Sequence, residues 1–378
     1  YTTLFRSHEK NCDLNTSINS RTLAKYSSFW NNEALKMTLI LKRVQLLKDK
    51  PRREAIDRFL RQHQLSLEAD CEMAIVAEYQ QRLVGCGAIA GNVLKCIAID
   101  PSLQGEGLSL KLLTELLTLA YELGRSELFL FTKPCNAALF SGAGFWPIAQ
   151  AGDHAVLMEN SRERLTRYCR QLAMYCQPGR KIGAIVMNAN PFTLGHRWLV
   201  EQAASQCDWL HLFVVKEDAS CFSYHDRFKL IEQGIAGIDK VTLHPGSAYL
   251  ISRATFPGYF LKEQGVVDDC HSQIDLQLFR ERLAPALQIT HRFVGTEPLC
   301  PLTRNYNQRM KSLLEAPGDA PPIEVVELAR IEKNGGPVSA SRVRELYRQR
   351  NWQAVAALVP PGTLSFLMQL AESEHQTA

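Results

Sequence analysis

Ile182-Gly183-Ala184-Ile185-Val186-Met187-Asn188-Ala189-Asn190-Pro191-Phe192-Thr193-Leu194-Gly195-His196 opens as an unbroken apolar run and closes in a turn carrying amides, a hydroxyl and a glycine. A short apolar run bounded by turn signals reads as a strand buried on both faces, as in parallel sheets. Residues 209–215 and 289–294 repeat its character, and helical spacing fills 197–206, 226–235 and 274–283. Strands alternating with helices predict a Rossmann-like, doubly wound parallel sheet whose ligands lie beyond the carboxyl ends of the strands. The turn at 188–196 stands at such an end. It brings Thr193, Gly195 and His196 to a helix amino terminus, where unpaired N–H groups and the helix dipole favour phosphate. Gly195 permits close approach, and Thr193 and His196 can both donate to oxygens of one triphosphate.

A second cradle follows about 140 residues later. Val338-Ser339-Ala340-Ser341-Arg342-Val343-Arg344 comes after Gly335-Gly336-Pro337 and opens another helix with hydroxyls and cations. Lys216 and Glu297 lie in loops after buried strands; Lys216 reads equally as part of a solvated charge run, and Glu297 as a ribose or metal ligand or a helix cap. Arg227 and Arg253 hold similar loop positions, while His211, inside an apolar strand, reads as a core histidine. The two cradles resemble the Thr/His-x-Gly-His and Ile-Ser-x-Ser/Thr-x-x-Arg signatures of the nucleotidyltransferase superfamily, with Thr193 at the place of the first histidine. The resemblance implies ATP with Mg2+. His196 and Thr193 would steady charge on the α-phosphate and Arg344 would hold the pyrophosphate, while Asn188, Asn190, Gly195, Lys216, Glu297, Ser339, Ser341 and Arg342 complete the nucleotide site. No side chain is expected to serve as a dedicated metal ligand.

The first half is ordered differently. Ala55, Ile56, Phe59, Leu60 and His63 share one helical face, and 73–79, 83–90 and 93–100 read as strands joined by short turns, hence antiparallel. Gln104-Gly105-Glu106-Gly107-Leu108-Ser109 leads into helically spaced leucines over 110–123, then a strand at 127–132, a short helix ending near Phe145 and a last strand near Val156. A strand, a glycine loop and a helix start make an anion cradle, because glycine lets a pyrophosphate approach the backbone. This order resembles the acetyl-CoA-binding segment of the GCN5-related N-acetyltransferase (GNAT) family. Gln104, Gly107, Gly144 and Phe145 match its pattern, and Ser109 departs from the usual small residue. The resemblance implies an α+β domain that receives a CoA-like arm at Gln104, Gly105, Gly107 and Ser109.

A chain of 378 residues suits two domains. Its 46% apolar and 22% charged residues are those of a globular protein, and no apolar run of ~18 residues offers a membrane span. A net charge of +4, spread along the chain, gives no argument for nucleic acid or an anionic membrane as a partner. Eleven cysteines without a Cys-x-x-Cys pair fit reduced thiols in a cytoplasmic protein. Residues 1–36 are weakly patterned and read as a poorly ordered leader or upstream sequence. The expected division is therefore a leader over 1–36, a GNAT-like domain over 37–160, a connecting helix and linker over 161–180, and an adenylylating domain over 181–378.

Longer strings narrow the family. Residues 183–193, Val215-Lys216-Glu217-Asp218, Ile251-Ser252-Arg253-Ala254-Thr255-Phe256-Pro257 and Phe293-Val294-Gly295-Thr296-Glu297-Pro298 are similar to the citrate lyase ligase family, within a resemblance running from about Met37 to the C-terminus. It implies an AMP-forming acid–thiol ligase. ATP and acetate would give acetyl-adenylate and pyrophosphate, and the acetyl group would pass to the thiol of a phosphoribosyl-dephospho-CoA arm on the acyl carrier subunit of citrate lyase. Two other readings stay open: an adenylyltransferase that makes a dinucleotide, and an acetyl-CoA-dependent acetyltransferase with a nucleotide-sensing second domain. The residues that bind acetate are not legible in the sequence.

Overall fold

The structure, a computed structural model, describes residues 39–377 apart from 104–106, 217–219, 252–255, 262, 298–299 and 334. The expected leader over 1–36, Gln104, Gly105 and Arg253 lie outside the described residues.

The first sheet is built largely by short connections. Strand β1 (Leu39–Gln45) leads through helix α1 (Lys50–Gln62), which starts where the Asp49 side chain accepts from Arg52 N and Pro51 occupies the first turn. Strands β2 (Met73–Tyr79), β3 (Arg82–Ala90) and β4 (Val93–Ile99) follow, and β1 to β4 pair antiparallel in order. Gln80 and Gln81 both take positive φ (50° and 63°), the twist that a two-residue hairpin demands. Helix α2 (Leu108–Glu122) buries Leu112, Leu113, Leu116 and Leu119 against one face of the sheet. At Gly87 a Cβ would fall 2.4 Å from Leu116 Cδ1, so that glycine sets how closely the helix lies. Strand β5 (Phe129–Thr132) returns parallel to β4 but pairs with it only at Val93↔Phe129 and Leu94↔Leu130, after which the two strands part. Helix α3 (Ala137–Gly142) and the hairpin β6 (Trp146–Ala151)–β7 (Ala155–Glu159) complete a seven-stranded sheet in the order β1-β2-β3-β4-β5-β7-β6. The sequence reading foresaw β7 but neither β1 nor β6.

Helix α4 (Arg164–Ala173) leads to the second sheet. In chain order come β8 (Ile182–Met187), α5 (Leu194–Ser205), β9 (Trp209–Val214), α6 (Tyr224–Gly234), β10 (Val241–His244), α7 (Gln264–Leu278), β11 (His291–Gly295), α8 (Pro301–Leu314) and β12 (Glu324–Leu328). Helices α9 (Ala340–Arg348), α10 (Trp352–Ala356) and α11 (Pro361–Thr377) close the chain. All five strands are parallel, in the order β10-β9-β8-β11-β12. This is the doubly wound, Rossmann-like sheet that the alternation predicted, and its order reverses between β8 and β11. Ligands bind at such a switch point. Among the described residues, no helix is long and apolar enough to cross a membrane, and every cysteine is a free thiol.

The two sheets share one apolar core. It runs from Ile56, Phe59, Ala88 and Phe131 in the first half to Phe256, Tyr259, Leu276 and Phe279 in the segment between β10 and β11. Tyr259 donates its hydroxyl to Phe131 O on β5 (2.8 Å) and lies against the Cys96 backbone on β4, so it bridges the strands where their own ladder stops. Gly258 N donates to Glu68 Oε1 (2.6 Å) and Ser66 N to Tyr259 O (3.1 Å). At the end of β7 the buried Glu159 accepts from the Tyr249 hydroxyl (2.8 Å), and burial pushes its carboxyl above the usual range.

Candidate functional site

Beyond the carboxyl ends of β8 and β11 lies a cavity of about 560 Å³. β8 is followed by Asn188-Ala189-Asn190, and Ala189 takes a left-handed φ of 49°, which turns the chain sharply away from the sheet. Asn188 and Asn190 both line the cavity, but part of their polar surface holds the loop together. Asn188 Oδ1 and O accept from Arg227 Nη1 (2.6 and 2.7 Å), and Asn190 Oδ1 accepts from Phe222 N (3.2 Å). Arg227, expected in a ligand loop, is instead fully buried on α6 and braces this turn.

Thr193 caps α5 in a reciprocal box with His196. Its hydroxyl accepts from His196 N (3.3 Å), and its own backbone N–H donates to His196 Nδ1 (3.0 Å). With Nδ1 accepting, a neutral imidazole carries its proton on Nε2. The ring stacks on Phe192 at 5.6 Å between centroids. Burial, and secondly the Arg330 charge, push His196 down to about 4, so at neutral pH it is an uncharged N–H donor on the cavity wall.

Helix α9 supplies the second cradle. Ser339 accepts from Arg342 N (3.3 Å) and caps it, and Ser339, Ser341 and Arg344 line the cavity. Arg344 Nη1 donates to Asn190 O (2.5 Å), tying the two signatures together across 154 positions of sequence. A Cβ on Gly195 would sit 3.0 Å from Val338 O. The close approach at this glycine is therefore between the amino ends of α5 and α9, in addition to any ligand contact. The outcome is two helix amino termini, a neutral imidazole and a guanidinium around one cavity, an arrangement suited to phosphate oxygens.

Glu297 also lines the cavity, but its carboxylate is engaged: Oε2 pairs with Arg330 Nη2 (2.6 Å) and Oε1 accepts from Cys300 N (3.1 Å) ahead of α8. Lys216 and Arg342 are exposed and do not line the cavity. In the first sheet, Gly107 takes a left-handed φ of 73° just before α2, whose start has no side-chain cap, and an added Cβ there would meet nothing within 4 Å. Ser109 sits in the first turn of that helix. The sequence reading missed Arg292, Arg330, Tyr306 and Asn307 on the cavity wall, because none belongs to a short motif. The only local signal was Arg292 itself, a cation in a strand otherwise read as apolar. Among the described residues, no group of three or more His, Cys, Asp or Glu is placed to hold a metal ion.

Comparisons with known proteins agree in both halves. The family model "Citrate lyase ligase C-terminal domain" matches residues 182–367, and the model "Acetyltransferase (GNAT) family" matches residues 41–145. The chain is 99% identical to the citrate (pro-3S)-lyase ligase of Klebsiella pneumoniae over 342 residues, 90% of this chain and all of that one. It is 52% identical to the enzyme of that name from Escherichia coli K12, over 85% of this chain and 92% of the relative. A solved acyl-CoA N-acyltransferase from Pseudomonas aeruginosa aligns with 33% of this chain and all of its own, at 14% identity and a TM-score of 0.29.

Proposed function

The chain belongs to the citrate lyase ligase family, and from that premise we propose that it activates acetate with ATP and delivers the acetyl group to citrate lyase. The acceptor in this reading is the thiol of the phosphoribosyl-dephospho-CoA arm on the acyl carrier subunit. The observation that carries the proposal is the joining of the two signatures around one cavity, through Arg344 to Asn190 O and Gly195 against Val338.

In the first step a carboxylate oxygen of acetate attacks the α-phosphorus of ATP. The new O–P bond forms as the bond to the bridging oxygen breaks, and pyrophosphate leaves. Charge grows on the α-phosphate and on the leaving group. The His196 Nε2–H and the first N–H groups of α5 answer the former, and Arg344 with the start of α9 answers the latter. A neutral donor suits this work, since it stabilises developing charge without first titrating at neutral pH. Mg2+ arriving on the triphosphate would neutralise part of its charge. In the second step the arm's thiolate attacks the acetyl carbonyl, the C–S bond forms and AMP departs. The nucleophile comes from the partner, so no cysteine of this chain is needed. The first sheet, with the uncapped start of α2 behind Gly107, is the natural dock for the pyrophosphate of the arm.

The test is isotope exchange between pyrophosphate and ATP in the absence of carrier. Exchange that requires both acetate and Mg2+ is the expected result. Folded, ATP-binding protein that exchanges with no small carboxylate would defeat the proposal. AMP recovered in a stable dinucleotide would point to the adenylyltransferase reading instead, and acetyl-CoA replacing ATP and acetate would point to an acetyltransferase.

A further inference from the structure

The most buried charged residue lining the cavity is Arg292, the second residue of β11. Its side chain is 4% exposed, and its Nε and Nη1 have no hydrogen-bond partner among the described residues. Its guanidinium stacks on the Phe279 ring with Cζ 4.4 Å from the centroid, which fixes the plane but offers no acceptor. The nearest acid, Asp275, is already engaged: it accepts from Ile251 N (2.9 Å) and from the Tyr306 hydroxyl (2.5 Å). No salt bridge joins Asp275 to Arg292; its charge acts on the guanidinium only through space. A buried cation whose donors are idle is costly, and folding tolerates it where another species completes it.

Its position identifies that species. Arg292 pairs with Ala184, three residues before β8 ends, so it lies below the phosphate cradle; Phe279 covers its guanidinium, and Tyr306 and Met310 line the same cavity. A polyanion would need several donors, and the through-space charge of Asp275 works against it. A small monoanion with an apolar tail needs one guanidinium and an apolar wall. We propose that Arg292 binds the carboxylate of the acid substrate, holding acetate beneath the α-phosphate with its methyl group against the apolar wall. This assignment rests on the adenylylating reading above and supplies a contact to the acid substrate, which that reading lacks. Tyr306 and Asp275 are then positioning residues, which stand beside the guanidinium without touching the carboxylate.

The experiment is pyrophosphate exchange on Arg292→Met and Arg292→Lys, with acetate and ATP varied separately and melting followed on the same samples. Losing a buried, charge-assisted contact predicts an acetate KM raised by ~10- to 100-fold or more in Arg292→Met, with the ATP KM within about threefold of wild type. Arg292→Lys should recover part of the loss. The melting temperature of Arg292→Met should be unchanged or higher, because an idle buried charge has been replaced by an apolar chain of similar length. In wild type, acetate in the presence of an ATP analogue with a methylene bridge between the α- and β-phosphates should raise the melting temperature, and in Arg292→Met it should not. An unchanged acetate KM, or an ATP KM raised by the same factor, overturns the assignment. So does a large fall in melting temperature without a selective acetate effect, which would mark a structural arginine. Absence of acetate-dependent exchange in wild type would instead bring down the adenylylating reading, and this assignment with it.

Discussion

His196 performs two tasks with one ring: Nδ1 closes the cap of α5, and Nε2 is left to face a ligand. His196→Ala should therefore show two separable effects. Loss of the cap partner should cost about 0.5–2 kcal/mol of stability. Loss of one preorganised donor should slow acetate-dependent exchange by ~100-fold or more, about 2.7–4 kcal/mol in the transition state. Wild-type exchange in a destabilised variant would reduce the residue to its capping role. Acidity supplies a second test at this scale. Burial pushes His196, His211 and His244 from the usual 6.5 down to about 4; the last two are hydrogen-bonded to each other at 2.9 Å inside the second sheet. The unfolded chain thus holds more protons than the folded one between these values. The stability they contribute is complete above about pH 6.5 and is lost as pH falls toward 4. Melting temperature should drop through that window, less steeply in a His211→Asn, His244→Asn double variant. A flat profile would show that these imidazoles already carry charge in the folded protein.

Among the elements, β8 was legible in the sequence because it is central: buried on both faces, it must be apolar throughout, and the observed Ile182–Met187 is the run that was read. Strands β10 and β12 were not legible, since each sits at a sheet edge, is short, and mixes polar with apolar positions. Hairpin strand β6 was missed for a similar reason. Of the site, Thr193, His196, Ser339, Ser341 and Arg344 were readable, because phosphate is held by local backbone geometry and local geometry leaves motifs. Arg292 and Arg330 gain their meaning from residues far away in sequence, Phe279 and Glu297 among them, and nothing local announces that. The parting of β4 from β5 was equally silent. Its consequence is testable at Tyr259, whose hydroxyl spans the gap. Tyr259→Phe leaves Phe131 O without that donor and should cost about 1–3 kcal/mol by denaturant unfolding, while acetate-dependent exchange in the folded protein stays near wild type. A neutral change in stability would mean that the gap needs no bridge.

At the scale of the molecule the two sheets are coupled by the core that Phe131, Phe256, Tyr259 and Phe279 share. Independent melting of the halves would require that core to open into water. Calorimetry should therefore show one unfolding transition for the whole chain, not two, and a fragment ending at Glu159 should expose apolar surface. Two resolved transitions would show that the halves are stable apart.

The same shared face has a consequence in time. Synthesis completes the first sheet at Glu159, but the last segment packed against it, α7, is finished only at Leu278, about 120 residues later. At ~5–20 residues per second, that interval lasts on the order of ten seconds. Throughout it the nascent chain displays a sheet whose inner face is finished and whose cover has not yet been made. Ribosomes that pause there hold an adhesive surface in the open, and chains cut short within that interval should be the forms of this protein most prone to aggregate.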